Sequence, residues 1–523
     1  MASLRNTLVM ALAAGASANT LRMDIARNPA VAAAQIEERS SYLRSRALSR
    51  RASDTVTAAL ENDLTAGLYS ANITVGTPGQ TLAVQIDTGS SDVWVPAPGL
   101  SICSEPASQG GGCAGGTFDH SSSSTFSVVE QDGFNISYVD GTGVAGDYFS
   151  DMFAIGGATV KGLEMGLASS GTIGQGIMGI GYNTSEANID TGNGTVYPNL
   201  PNQLVDEGLI NSLAYSLWLN DLDSSTGSIL FGGIDTDKYS GNLISVDVYP
   251  TTRSKQVVSF TVAFTSLSAT SSSGTDVLTP SDYAEAAILD SGTTITLLPD
   301  ALAEMVFEEL GALYEESLGA AVVPCSLANK NGTLNFGFGG SGGPVISVGV
   351  DELVLPLTLT SGSTPKINGQ DACQLGIMPA GDLPILFGDT FMRSAYVVYD
   401  LVNNRIGLAN TDFNATGSNV VPFASSGAAI PSASTAPNEA AITQTATGNP
   451  KVDVTPTAGG VTSATYNPTA TGLSAASGFT AASSSSSKKN GGVARPEPFA
   501  WSRVLVGLIT VALMGAGGLF HLL

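Results

Sequence analysis

Two stretches of the chain end in the same way. Val84-Gln85-Ile86-Asp87-Thr88-Gly89-Ser90-Ser91 and Ala287-Ile288-Leu289-Asp290-Ser291-Gly292-Thr293-Thr294 each run from an apolar strand into an Asp, a small hydroxyl residue, a Gly and a hydroxyl pair. One Asp-Thr-Gly is a common turn. Two such loops, 203 residues apart and each closing an apolar strand, form a pattern with chemical content. Peptide hydrolysis needs a base to activate water and an acid to protonate the leaving amine. Two carboxylates held within a few ångströms cannot both ionise easily, so the pair keeps one proton through a wide acidic range. Gly89 and Gly292 let the backbone approach and donate an N–H, while Ser90 and Thr293 can bond the outer carboxylate oxygens. The proton belongs to the pair, not to one member. With water as nucleophile, this chemistry requires no metal, cofactor or covalent intermediate.

Other hydrolytic and redox chemistries find less support. The chain holds two histidines, and His521 sits in an apolar terminal run expected to be removed, leaving His120 alone. Gly339-Gly340-Ser341-Gly342-Gly343 matches the Gly-x-Ser-x-Gly pattern but lacks a strand-to-helix context and a following histidine. Gly141-Thr142-Gly143-Val144-Ala145-Gly146 matches a dinucleotide fingerprint, yet leads into strand-like Asp147-Tyr148-Phe149 rather than a helix.

The elements that must position the two loops are strands. From about Leu64 to Ala409, period-2 alternation, β-branched residues and Gly/Pro/Asn punctuation recur at short intervals. The clearest helix is Pro299 to Leu310. The fold class is all-β. Of the 523 residues 61 are Gly and only 13% are charged, with a net charge of -24. Residues 52–490 hold 11 Lys and Arg against 41 Asp and Glu. Such an acidic body repels nucleic acid and suits basic partners or an acidic medium.

The two ends read as addresses. Arg5, the apolar run Leu8 to Ala14 and the triplet Ala16-Ser17-Ala18 form a signal-peptide pattern over residues 1–18. Residues 19–51 are basic and end at Arg50-Arg51, as a propeptide would; a solvated helix is compatible with the same residues. Residues 416–490 dissolve into Ser, Thr, Ala, Pro and Gly, a composition expected to form a glycosylated stalk. Asn490-Gly491-Gly492, a polar spacer and the apolar run Val504 to Leu523 match a GPI-attachment signal over 491–523, with Asn490 as the attachment residue. A transmembrane anchor is the alternative. Four cysteines, Cys103, Cys113, Cys325 and Cys373, suggest two disulfides in a secreted chain, with three connectivities open and nearest-neighbour pairing favoured. Six sequons fit the secretory route: Asn72, Asn135, Asn183, Asn193, Asn331 and Asn414. Asn72 falls in an expected strand, which weighs against its occupancy.

From Leu64 to Asn410 the chain resembles the pepsin-like aspartic proteases, and within them the fungal GPI-anchored yapsins and candidapepsin-like secreted enzymes. The residues that carry the resemblance are Asp87 to Pro96, Ile288 to Thr294, Ile177 to Tyr182, Ile385 to Phe391 and Tyr396 to Ala409. It implies two β-barrel-like lobes, about 64–245 and 246–410 within a body spanning 52–415, with an active cleft between them and one Asp from each. It implies a monomer acting on protein or peptide substrates at a fungal plasma membrane or cell wall. Ile136 to Thr142 matches the family's flap, which gives Tyr138 the flap-tyrosine role with Trp94 as its hydrogen-bond partner and Asp140, Gly141 and Thr142 as neighbours of substrate. Thr88 and Ser291 would lock the loops together, and the cysteines fall where the family often has one disulfide per lobe. Val139 stands where the family more often has Gly. Asp140 could pair with a basic residue beside the scissile bond, as acidic flap residues do in related fungal enzymes; a solvated turn is the plainer reading. A surface glycoprotein keeping the fold as a non-enzymatic binding module is the rival, opposed by the intact Asp pair and its hydroxyl neighbours.

Overall fold

The computed structural model describes residues 20–25, 62–63, 68–105, 112–139, 141–190, 194–224, 226–251, 255–315, 320–357, 363–367, 369–442 and 475–479. Residues 1–18, Arg50-Arg51, Asp140, Asn193, Asn490 and the apolar run 504–523 lie outside this set. Among the described residues no helix is long and apolar enough to cross a membrane.

Short strands dominate, as the period-2 pattern implies, and they form two lobes joined by a shared sheet. The first lobe is an eight-stranded sheet that includes Leu68–Val75, Gln80–Asp87, Val93–Pro96, Gly176–Gly179 and the long hairpin strands Ser127–Ser137 and Gly143–Ile155. The second lobe repeats the plan with Thr261–Ser271, Glu285–Leu289, Thr296–Leu298, Gly332–Phe338 and Ile385–Phe387, plus a smaller sheet over Leu313–Leu375. Between them lies a central sheet to which both halves contribute: Ala214–Trp218, Gly227–Phe231 and Tyr239–Asp247 pair in one order with Ala395–Asp400 and Arg405–Thr411. The helix expected at Pro299 to Leu310 runs Asp300–Leu310, with Asp300 in its first turn and Gly311 in the left-handed conformation ending it. Its inner face buries Leu302, Ala303, Val306 and Phe307. The cysteines pair as nearest neighbours, Cys103 with Cys113 and Cys325 with Cys373, so neither pair is left to bind a metal.

Two segments carry structure that the sequence reading did not assign to them. Residues 21–25, within the segment assigned to a propeptide, form an edge strand of the central sheet, antiparallel to Gly227–Phe231. Leu21 and Met23 turn into the core while Arg22 reaches Asp235 at 2.5 Å. The basic character of the segment masks this two-residue alternation. Residues 416–442, assigned to the stalk, are built onto the body. Val420–Pro422 pairs with Gly233–Asp235, Ser434–Thr435 pairs with Ile244 and Ser245, and Glu439 bonds Arg405 at 2.8 Å. A few apolar residues in a polar background suffice, since Phe423 and Ile430 are buried. The glycine loop 339–343 seats this extension: the Asn438 amide donates to the Ser341 carbonyl at 2.9 Å.

Candidate active site

Each Asp is delivered by a buried strand and held from below by a partner. Gln80–Asp87 buries its last four residues and pairs in parallel with Gly176–Gly179, so that Asp87 lies opposite Gly179. Glu285–Leu289 pairs in parallel with Ile385–Phe387, and the Asp290 N–H bonds the Phe387 carbonyl at 3.1 Å. The apolar-Gly stretches act through close approach. A Cβ at Gly179 would lie 2.7 Å from the backbone of Ser91 and Asp92, and one at Gly388 would lie 2.3 Å from the Thr293 carbonyl. Tyr215 and Tyr399 from the central sheet pack beneath with Phe260, Tyr399 lying 4.5 Å from Phe260 and 4.9 Å from Tyr215.

The two loops bond each other by matching contacts. The Thr88 N–H donates to Ser291 Oγ at 3.2 Å, and the Ser291 N–H donates to Thr88 Oγ1 at 3.0 Å. Their hydroxyls donate across the interface in turn, Thr88 to the Leu289 carbonyl and Ser291 to the Ile86 carbonyl. Gln85 adds a bond to the Gly292 carbonyl at 3.1 Å. Each carboxylate is fixed from its own loop as well. Gly89 N–H donates to Asp87 Oδ1 and Gly292 N–H to Asp290 Oδ1, both at 2.8 Å. Ser90 Oγ donates to Asp87 Oδ2, and Thr293 Oγ1 donates to Asp290 Oδ2 at 2.8 Å. The glycines sit under the opposite carboxylate: a Cβ at Gly89 would come 2.6 Å from Asp290 Oδ1, and one at Gly292 would come 2.3 Å from Asp87 Oδ1.

Electrostatics follow from this closeness. Burial, joined by the charge of Asp290, pushes the Asp87 carboxyl up to about 8 against the bonds from Ser90 and Gly89. Asp87, facing Asp290, therefore retains a proton well above the usual carboxylate range. Such a pair can act as base and acid together.

The hairpin Ser127–Ser137 and Gly143–Ile155 carries Tyr138 at its end. Trp94 Nε1 donates to the Tyr138 hydroxyl at 2.8 Å. Burial, then the charge of Asp87, keeps that phenol protonated. The Tyr138 N–H donates to the Thr142 carbonyl at 2.8 Å, and the Gly141 N–H to the Tyr138 carbonyl at 3.0 Å. Asn72, Asn135, Asn331 and Asn414 are exposed, and Asn183 is half-buried. Sequence reasoning missed Asp92, which is buried and accepts from Tyr148 at 2.9 Å, Tyr197 at 2.8 Å and the Ala187 N–H at 2.8 Å. This carboxylate ties the flap strand to the stretch between the Asp87 loop and Trp94. An acid inside the apolar run Ser91-Asp92-Val93-Trp94-Val95 is the signal that could have flagged it.

Comparison with known proteins agrees with this geometry. The family model for eukaryotic aspartyl proteases matches residues 68–411. A protein named "Probable aspartic-type endopeptidase opsB" of Aspergillus oryzae is 44% identical over 393 residues, covering 74% of this chain and 77% of that one. Aspartic proteinase yapsin-3 of Saccharomyces cerevisiae is 33% identical, covering 71% of this chain and 70% of its own length. Secreted aspartic protease 3 of Candida albicans is 36% identical, covering 67% and 81%. The crystal structure of an aspartic proteinase from Irpex lacteus superposes with a TM-score of 0.52 at 23% identity, covering 68% of this chain and 97% of that one, which speaks to the fold. A paired set of Asp loops, interlocked across two β lobes and matched by relatives over most of the chain, places this protein in the pepsin-like family of eukaryotic aspartyl proteases, as an aspartic endopeptidase.

Proposed function

We propose that the protein is a secreted, cell-surface endopeptidase working at acid pH through Asp87 and Asp290. The observation that carries this reading is the pair of carboxylates, each seated over the other loop's glycine and held there by the Thr88 and Ser291 bonds. One carboxylate takes a proton from water as the water oxygen bonds to the peptide carbonyl carbon. The other gives its proton to the carbonyl oxygen. As the C–N bond breaks, the amine takes the proton now held by the first carboxyl, and the second carboxylate takes one back from a gem-diol hydroxyl as the carbonyl re-forms, which restores the singly protonated pair. Ser90 and Thr293 keep the carboxyl planes fixed during these transfers, and Tyr138, bonded to Trp94, covers the cleft.

A secretory route is supported by the N-terminal signal pattern, the two disulfides and relatives that include a secreted aspartic protease of Candida albicans. The terminal pattern around Asn490 favours a GPI anchor. A preference for basic residues near the scissile bond rests on Asp140 and the net charge of -24. Profiling cleavage of a peptide library at acid pH, with and without a statine-type inhibitor and beside Asp87→Asn, tests the mechanism. Activity that survives the inhibitor or the substitution sinks it. An unchanged basic preference in Asp140→Ala removes that residue from specificity, and release by a phosphatidylinositol-specific phospholipase decides between lipid and transmembrane anchor.

A further inference from the structure

Within the Ser/Thr-rich tail, residues 475–479 are folded against the second lobe. Ala476–Phe479 makes one helical turn beside the helix Asp300–Leu310 and the hairpin Thr261–Ser271 and Gly274–Val277. Both polar groups of the Ala475 backbone are taken up by that hairpin: its N–H donates to Asp276 Oδ2 at 2.7 Å, and its carbonyl accepts from Ser271 Oγ at 2.7 Å. Phe479 is 2% exposed and lies over Gly332, where a Cβ would meet its ring at 2.2 Å. Gly478 is pressed equally closely on Ser271 Oγ. Small residues thus lie on both sides of the contact where the backbones meet, and one aromatic ring fills the pocket.

Under this turn lies Glu309, fully buried. Burial pushes its carboxyl up to about 7, with the charges of Asp276 and Glu308 adding to it and the Ala476 N–H opposing. The elements packed against the segment carry Asp276, Asp300, Glu304, Glu308 and Glu309 and no Lys or Arg, and the segment itself is uncharged.

We propose that Ala475–Phe479 is a docking clasp that returns the tail to the second lobe, engaged in acid and loosened toward neutrality. The docked carboxyl holds its proton to higher pH than the free one, so docking is fully supported below the ordinary Glu range. It is lost as pH rises through about 7. Ala475–Phe479 is thus held on the second lobe at acid pH and released from it near neutrality.

Hydrogen exchange of the full chain, in an Asp87→Asn background to prevent self-cleavage, tests this. Phe479→Ser removes the ring that packs over Gly332 while leaving every residue of the two lobes unchanged. At about pH 4, peptides spanning 475–479 should exchange about ten-fold more slowly, after correction for intrinsic rates, than in Phe479→Ser. The difference should largely vanish near pH 8 and persist there in Glu309→Gln. Equal exchange with and without Phe479 at acid pH overturns the clasp. Protection that does not change with pH in the unsubstituted tail overturns its acid dependence.

Discussion

Replacing Asp87 by Asn removes a base and also removes a pH-dependent load on the fold. In an unfolded chain the Asp87 carboxyl ionises near its ordinary value of 3.8, whereas in the folded protein burial and the Asp290 charge hold its proton up to about 8. The folded state then binds one more proton than the unfolded state, so stability is full below the lower value and falls as pH rises toward the upper one. The slope is about 1.4 kcal/mol per pH unit for one proton. From about pH 4 to pH 7 the pair should cost the native protein about 4 kcal/mol. Asn is neutral and of the same shape, so Asp87→Asn should escape most of that loss. Thermal melts of the two proteins across this range should therefore diverge, the variant gaining several degrees on the parent by pH 7. Other buried acids, such as Glu352 and Asp400, contribute equally to both curves and cancel in the difference. Parallel melting curves, with activity abolished, would refute the shared proton while leaving Asp87 essential.

Gly292→Ala places a methyl where only 2.3 Å separates it from Asp87 Oδ1, and kcat/KM should fall about a hundred-fold or more while a melt of the body shifts little. Opening the Cys325–Cys373 bridge, which spans 48 residues, should cost about 4 kcal/mol, against about 3 kcal/mol for the ten-residue Cys103–Cys113 loop. Denaturant titration of the two double-Ser variants checks that order. Arg393 is fully buried and bonds Glu352 through Nε, so Arg393→Met should destabilise by about 3–5 kcal/mol by stranding a buried carboxylate. Adding Glu352→Gln should recover part of it.

The chemistry was legible because it is local: Asp87 to Ser91 and Asp290 to Thr294 each carry strand, acid, glycine and hydroxyl in consecutive positions. The Trp94 to Tyr138 bond was reached through the family resemblance, not through spacing. What stayed hidden depends on partners remote in sequence. Leu21 and Met23 make a strand only because Gly227–Phe231 offers an edge. Val420–Pro422 and Phe479 sit in low-complexity sequence whose average polarity conceals single apolar residues with a waiting groove. Asp92 reads as one more acid until Tyr148 and Tyr197 arrive from elsewhere in the chain.

The central sheet bears on how the molecule is made. Tyr215 lies opposite Tyr399, and Ser216 opposite Val398, so a strand begun in the first half finds its neighbour only when the last strands have been synthesised. The first lobe emerges from the ribosome with that edge open, and it must wait through the whole second lobe before the edge is closed. An open strand edge is a site for wrong pairing. The same sheet that fixes the two aspartates at rest thus leaves the growing chain exposed, and separate expression of either half would keep that edge uncovered for good.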